Sequence, residues 1–197
     1  EKQLKGLPSP KSWSDLMDAK WKGKFAITDP SKSATAYSLV YGLYKQFGRD
    51  GLAKIAQNAV ITSSSGTTYK GVASGECGIA VTNTYYLARM MRSSNPEERA
   101  IAERVGVVFP NQASWGTHIN IAGGAMARHA KNPANAVKFL EYLASPEAQN
   151  YFANGNNEWP TAKGVTVENA ALKAMSGGTF KSETIPVSAV GMNQVKV

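Results

Sequence analysis

A chain of 197 residues that is 43% hydrophobic, with a mean hydropathy of -0.29, has room for one large or two small globular domains and excludes extended disorder. No apolar run approaches the ~20 residues of a helical membrane span, and the single cysteine, Cys77, excludes an intramolecular disulfide and any cysteine-based zinc cluster. The balance of 22 Lys and Arg against 14 Asp and Glu gives a formal net charge of +8 and a pI near 9.5. The basic residues are scattered singly, with no basic run and no aromatic-interleaved stripe, so the charge suits anionic ligands or an anionic envelope surface and not nucleic acid.

Taken in order, the chain opens at Glu1 with neither an initiator Met nor a signal peptide and stops at Val197 without a helix-ending signal. It reads as a processed or truncated piece. Leu7-Pro8-Ser9-Pro10-Lys11 is a stiff, extended lead-in, after which Ser12 can cap a short turn through Trp13, Leu16 and Met17. Trp21-Lys22-Gly23-Lys24 turns into Phe25-Ala26-Ile27, a strand that ends in the polar loop Thr28-Asp29-Pro30-Ser31. Ser33 to Phe47 carries Tyr37, Val40, Tyr41 and Tyr44 at helical spacing, Gly48 ends that helix, and Gly51 to Gln57 is a second one. Tyr41 and Tyr44 belong to a core stripe; Tyr37 lies in the first turn beside a hydroxyl-rich loop.

Val60-Ile61 is a short strand leading into Thr62-Ser63-Ser64-Ser65-Gly66-Thr67-Thr68, which can present hydroxyls and amides to an anion before a helix from Tyr69 to Ala73. Gly78-Ile79-Ala80-Val81 reads as a strand covered on both faces, with Cys77 a small core residue beside it. Thr82, Asn83 and Thr84 then supply cap oxygens, and Leu87, Met90 and Met91 fall at helical spacing. At this junction one Tyr on the turn and one on the first helical turn, Tyr85 and Tyr86, can converge. Phenols are poor ligands until a highly charged hard cation displaces the proton, and ferric iron fits that description best. The other reading is an amphipathic pair packed at a helix start, and local sequence alone does not displace it.

Asn95-Pro96-Glu97-Glu98 starts a helix that runs to Glu103, and Asn132-Pro133 and Ser145-Pro146-Glu147 repeat the device. Val105 to Phe109 and Thr117 to Ala122 read as strands, Gly155 to Pro160 as an irregular crossing, and Val167 to Met175 as a last helix before an irregular tail. Strands alternating with capped helices give an α/β class with parallel pairing. No GxGxxG, P-loop, HExxH or GxSxG is present. His118 reads as a strand residue hydrogen-bonded in place and His129 as solvated. An enzyme built on Cys77 or His118 lacks a base or orienting partner at a recognisable spacing.

The segments Lys11-Ser12-Trp13-Ser14-Asp15-Leu16, Trp21-Lys22-Gly23-Lys24, Ser74-Gly75-Glu76, Asn83-Thr84-Tyr85-Tyr86, Phe109-Pro110-Asn111-Gln112, Gly116-Thr117-His118-Ile119-Asn120-Ile121 and Ser145-Pro146-Glu147-Ala148-Gln149 together resemble the periplasmic ferric-ion-binding proteins of bacterial ABC importers. The resemblance implies a type II periplasmic-binding fold, two α/β lobes hinged around one Fe(III), with no bond-making chemistry. It also implies Tyr85 and Tyr86 as paired phenolate ligands, Tyr37 as a third tyrosine, and Asn83, Ser33 and Ser65 at a companion anion such as carbonate or phosphate or in the ligand shell. The partners it implies are ferric ion and an ABC permease of the inner membrane, with the intact protein a periplasmic monomer. Against the family pattern the chain begins after the first segment. Residues 1–115 with 160–197 then correspond to the C-terminal-type lobe and 116–159 to a remnant of the other, so one lobe is incomplete and a half-clamp binds iron more weakly. The alternative keeps the fold and exchanges iron for an organic anion, a phosphorylated sugar or phosphonate, held by Ser33, Ser65 and Thr67.

Overall fold

The computed structural model describes Leu4, residues 6–177 and residues 179–192. The expectations placed on the first three residues and on 193–197 lie outside the described residues.

Phe25-Ala26-Ile27-Thr28 forms β1, among the described residues the one strand whose every residue is buried. It is paired in parallel on one side with β2, Ala59–Thr62, and on the other with β3, Ile79–Val81, giving the order β2-β1-β3. Pairing is parallel because each crossover is a helix: α1, Ala34–Asn58, between β1 and β2, and α2, Ser65–Ser74, between β2 and β3. Covering on both faces, expected for Gly78 to Val81, belongs to β1 alone. Among the described residues β2 and β3 are edges, β3 is only half-buried throughout, and Ile61 of β2 is 53% exposed.

Ser33 caps α1, its hydroxyl accepting from the Ala36 amide at 3.3 Å. Gly48 breaks the helix as its position suggested, with φ 66° and ψ -173°. That left-handed φ suits a residue without a Cβ. The chain re-enters the helix directly and runs on to Asn58, so the second segment needs no restart at Gly51. Its apolar face, with Leu39, Leu43 and Ile55, closes over Phe25 and Ile27 together with Trp13, Leu16 and Trp21. Complete burial of one such aromatic or aliphatic side chain contributes roughly 1.5–3 kcal/mol, which makes this cluster the main core. Asn58 seals its base: the side-chain amide, 6% exposed, donates to the carbonyls of Leu16 and Asp18, each at 3.0 Å.

Helix α2 starts at Ser65, four residues before the expected Tyr69, because Ser64 is the cap and its hydroxyl accepts from the Thr67 amide at 3.2 Å. α3, Thr84–Met91, follows β3, and α4, Pro96–Glu103, has the expected Asn95 cap with Pro at its start. α5, Pro133–Leu143, and α6, Pro146–Tyr151, also start at their prolines, and α6 runs on into a π-turn, Phe152–Asn156. α7, Ala170–Ser176, begins three residues later than expected, since the side-chain Oδ1 of Asn169 accepts from the amides of Ala171 and Leu172. α8, Val187–Met192, lies within the stretch read as an irregular tail.

The strands expected over 105–109 and 117–122 do not form; in these stretches only Thr117 makes a bridge, parallel to Ser182. A strand requires a ladder partner, and the described residues offer none there. The apolar residues face side chains instead. Val105 and Val107 pack on Tyr69, Leu87 and Ala102, and Phe109 stacks on Phe180 with ring centroids 4.6 Å apart and sits edge-on to Trp159 at 6.3 Å.

Replacing Asn58 with Ala removes the buried amide donor from the Leu16 and Asp18 carbonyls, the second of which keeps the Trp21 amide at 3.0 Å, and should cost about 1–3 kcal/mol. Urea unfolding would register this as a lower midpoint at unchanged slope.

Candidate metal centre

The carboxyl ends of β1 and β3 open on a cleft of about 2070 Å³ whose wall includes Thr28, Ser65, Asn83, Tyr85 and His118. Parallel α/β sheets gather ligands at this end because loops and helix starts converge there. Hydroxyls crowd the rim. Thr28 Oγ1 lies 3.3 Å from both Ser65 Oγ and Thr68 Oγ1, and Thr62 Oγ1 is bonded to Thr68 Oγ1. Thr28 and Thr68 are buried; their role in this network was not legible in sequence, since the partners are 37 and 40 residues away.

Both phenols of the Tyr85-Tyr86 pair belong to the helix. α3 begins at Thr84, so neither tyrosine sits on the turn as expected; both occupy its first turn, with ring centroids 4.5 Å apart and planes 44° to one another. A regular helix spreads neighbouring side chains by about 100°, yet two long aromatic side chains can still lean together at a helix start, where no preceding turn crowds them. Asn83 stands at the cap position but makes no cap bond with its side chain. Its Nδ2 donates to the Tyr85 hydroxyl oxygen at 2.9 Å.

Burial pushes the Tyr85 phenol above its usual range, the neighbouring Tyr86 hydroxyl adds to the shift, and the Asn83 donor opposes it. The phenol is therefore protonated at neutral pH, and a cation that takes its oxygen must displace the proton. The Arg89 guanidinium lies 5.7 Å from the centroid of the Tyr86 ring, within range of the negative face of the π system. Among the described residues no group of three or more His, Cys, Asp or Glu could hold a metal ion.

Tyr37 lies in the first turn of α1, with its hydroxyl buried and without a hydrogen-bond partner among the described residues. It opens, with Ser33, Ser38, His118 and Glu183, on a second cavity of about 610 Å³. The two cavities share the wall formed by residues 118–121. Of the residues singled out in sequence, Tyr85, Asn83 and Ser65 thus line one cavity and Tyr37 and Ser33 the other. Tyr86 stands against Tyr85. Tyr41 is buried and Tyr44 half-buried, in keeping with a core stripe.

His118 is held as expected of a hydrogen-bonded residue, by Ser38 Oγ at 3.0 Å from Nε2 and by Glu183 Oε1 at Nδ1. His129 is exposed. Cys77 is half-buried, less enclosed than expected, because β3 is an edge; burial and then Glu76 push its thiol upward, away from the reactive thiolate.

Parallel strands with a cleft at their carboxyl ends and helix starts opening on it are common to open α/β folds; the likeness to solved ferric-binding proteins makes this one the type II periplasmic-binding fold. The chain belongs to the bacterial extracellular solute-binding protein family, whose model it matches over residues 1–182. It is similar to iron uptake protein A1 of Synechocystis, at 36% identity over 186 residues that cover 91% of this chain and 51% of that protein. It is similar as well to iron uptake protein A2 of the same organism, at 31% identity over 93% of this chain and 54% of that protein. Among solved structures, the Trichodesmium protein IdiA (FutA), in complex with iron and citrate ligands, superposes with a TM-score of 0.86 at 40% identity, covering 95% of this chain and 60% of that one. The ferric binding protein from Campylobacter jejuni does so at 0.83 and 31%, covering 94% and 60%. The chain spans about half the length of the curated relatives it matches. These relatives are solute-binding proteins and not enzymes.

Tyr69, 3% exposed on the cleft wall, supplies a pH-dependent prediction. Burial raises its phenol to about 12, and its hydroxyl has no partner among the described residues. The folded state holds this proton more tightly than the unfolded chain, which titrates near 10. Its contribution is therefore fully present below about pH 10 and is lost as pH rises through about 12. Tyr69→Phe should leave stability at pH 7 within about 1 kcal/mol of the parent and flatten the alkaline loss. Urea melts at pH 7 and at several values between 10 and 12 would measure both.

Proposed function

We propose that this protein binds ferric ion through the phenolates of Tyr85 and Tyr86, with Tyr37 as a third donor, as the periplasmic substrate-binding component of an iron(III) ABC importer. The observation that carries the reading is the Tyr85-Tyr86 pair itself: two phenols 4.5 Å apart at the start of α3, one of them accepting a hydrogen bond from Asn83, in a family whose similar members include iron uptake proteins and ferric binding proteins. Phenolate oxygen is a hard donor, and a trivalent cation supplies the field that displaces the proton. Asn83 can keep its bond after the proton leaves, because the phenolate oxygen remains an acceptor.

A companion anion such as carbonate or phosphate is favoured beside the cation at the start of α3, where backbone N–H groups carry partial positive charge, with Asn83, Ser33 and Ser65 as its protein contacts. Selectivity comes from donor hardness and cation charge, and the loaded protein, a monomer, delivers the ion to a permease of the inner membrane. Residues 1–115 and 160–197 are assigned to the C-terminal-type lobe and 116–159 to part of the other. This division is supported by the packing of α7 on α3 through Ala88, Ala171 and Leu172 and by α5, which has no buried residue. The organic-anion alternative, held by Ser33, Ser65 and Thr67, has less behind it, because the relatives of 30% identity or more reported above are iron uptake and ferric binding proteins.

Ferric loading should give a red-brown phenolate charge-transfer band, and Tyr86→Phe should remove most of it; an unchanged band and affinity would end the tyrosine assignment. Loading should also release about one proton for each phenolate bond formed. A pH-stat titration of the parent against Tyr86→Phe should differ by that amount.

A further inference from the structure

Ser38, His118 and Glu183 form one hydrogen-bonded line. Hydroxyl, imidazole and carboxylate in that order are the parts of a hydrolytic triad, but Ser38 is 7% exposed within α1, where interior amides are committed to the helix and cannot stabilise an oxyanion. The side chains of His118 and Glu183 are equally enclosed, at 10% and 3% exposure. With no oxyanion donor beside this hydroxyl, the line has a mechanical role.

Its members come from three separate places in the chain, and two of these form a narrow ribbon. Thr117 N donates to Lys181 O at 2.8 Å and Glu183 N donates to Thr117 O at 2.9 Å. The Gln112 side chain brackets the pairing, with Nε2 donating to Thr117 Oγ1 and Lys181 O and Oε1 accepting from Lys181 N. Approach is close enough to need glycine at 116, where φ is 97° and a Cβ would lie 2.7 Å from the Ser182 carbonyl.

The ribbon sits on α1. Gly42, one turn beyond Ser38, faces the same pair, and a Cβ there would come within 3.0 Å of His118 Nδ1 and 3.5 Å of Glu183 Oε1. Tyr37 precedes Ser38 and lines the same cavity as Ser38, His118 and Glu183, with its buried hydroxyl unpartnered among the described residues.

We infer that His118 and Glu183, acting through Ser38, are positioning residues that seat the first turns of α1 on the 117–183 ribbon and so fix the orientation of the Tyr37 phenol. The inference rests on the reading of Tyr37 as the third iron donor, and its test separates the two. In the intact protein without metal, His118→Ala should raise amide exchange at Ala36, Tyr37 and Ser38 about tenfold while leaving α2 unchanged. Ser38→Ala removes a single bond without opening a large cavity, so it keeps the test valid if His118→Ala fails to fold; it should raise the same amides about threefold. In ferric titrations against citrate, His118→Ala should weaken apparent affinity about tenfold in the parent and less than twofold in a Tyr37→Phe background, since coupled residues are not additive. Unchanged exchange at 36–38, or equal losses of affinity in both backgrounds, overturns the inference. If exchange rises as expected while Tyr37→Phe leaves the charge-transfer band and affinity untouched, the seating of α1 stands and the assignment of Tyr37 as a donor falls.

Discussion

The structure depends on the parallel pairing of β1 with a strand on each side. Four buried residues satisfy their backbone groups only because β2 and β3 lie against them in register, Phe25 opposite both Ala59 and Ile79. Parallel pairing forces helical crossovers, and helical crossovers bring the starts of α1, α2 and α3 to the carboxyl ends of the strands. Every candidate donor in this chain lies at one of those three starts: Ser33 and Tyr37 at α1, Ser65 at α2, Asn83, Tyr85 and Tyr86 at α3. The core beneath, centred on Phe25 and Trp21, holds the sheet that fixes their separation.

Asn83 shows what the site costs locally. A side-chain cap is worth about 1 kcal/mol, and Ser33, Ser64, Asn95, Ser145 and Asn169 all provide one. Asn83 occupies the same position and does not; its amide is directed to the Tyr85 oxygen instead. The start of α3 is thereby left to whatever enters the cleft, and one phenol is oriented before any cation arrives. Asn132 ahead of α5 makes no side-chain cap bond either; what sets Asn83 apart is that its amide has another partner, at the pair read from sequence as the distinctive element.

The stretches that did not become strands make a related point. Val105 to Phe109 and Thr117 to Ala122 have the apolar runs and alternation of strands, yet a strand is defined by a neighbour. The first lies against the Tyr69, Leu87 and Ala102 cluster through its side chains. The second has a single bridge, to Ser182, and is exposed from Asn120 onward. Periodicity reports that one face is covered, not what covers it.

The sequence by itself determined the elements whose causes are local. These are β1 and its flanking strands, the proline-initiated helices, the break at Gly48, the α/β class and, through its motifs, the family. Capping oxygens, prolines and glycines act within a few residues, so their effect can be read from spacing. Tertiary structure alone decided that Tyr85 and Tyr86 share a helical turn with their rings together, that β3 is an edge, and that Tyr37 opens on a separate cavity from Tyr85. It alone joined Ser38 to His118 across 80 residues and His118 to Glu183 across 65. Such bonds leave no trace in spacing, because chain folding and not local geometry sets which distant segments meet.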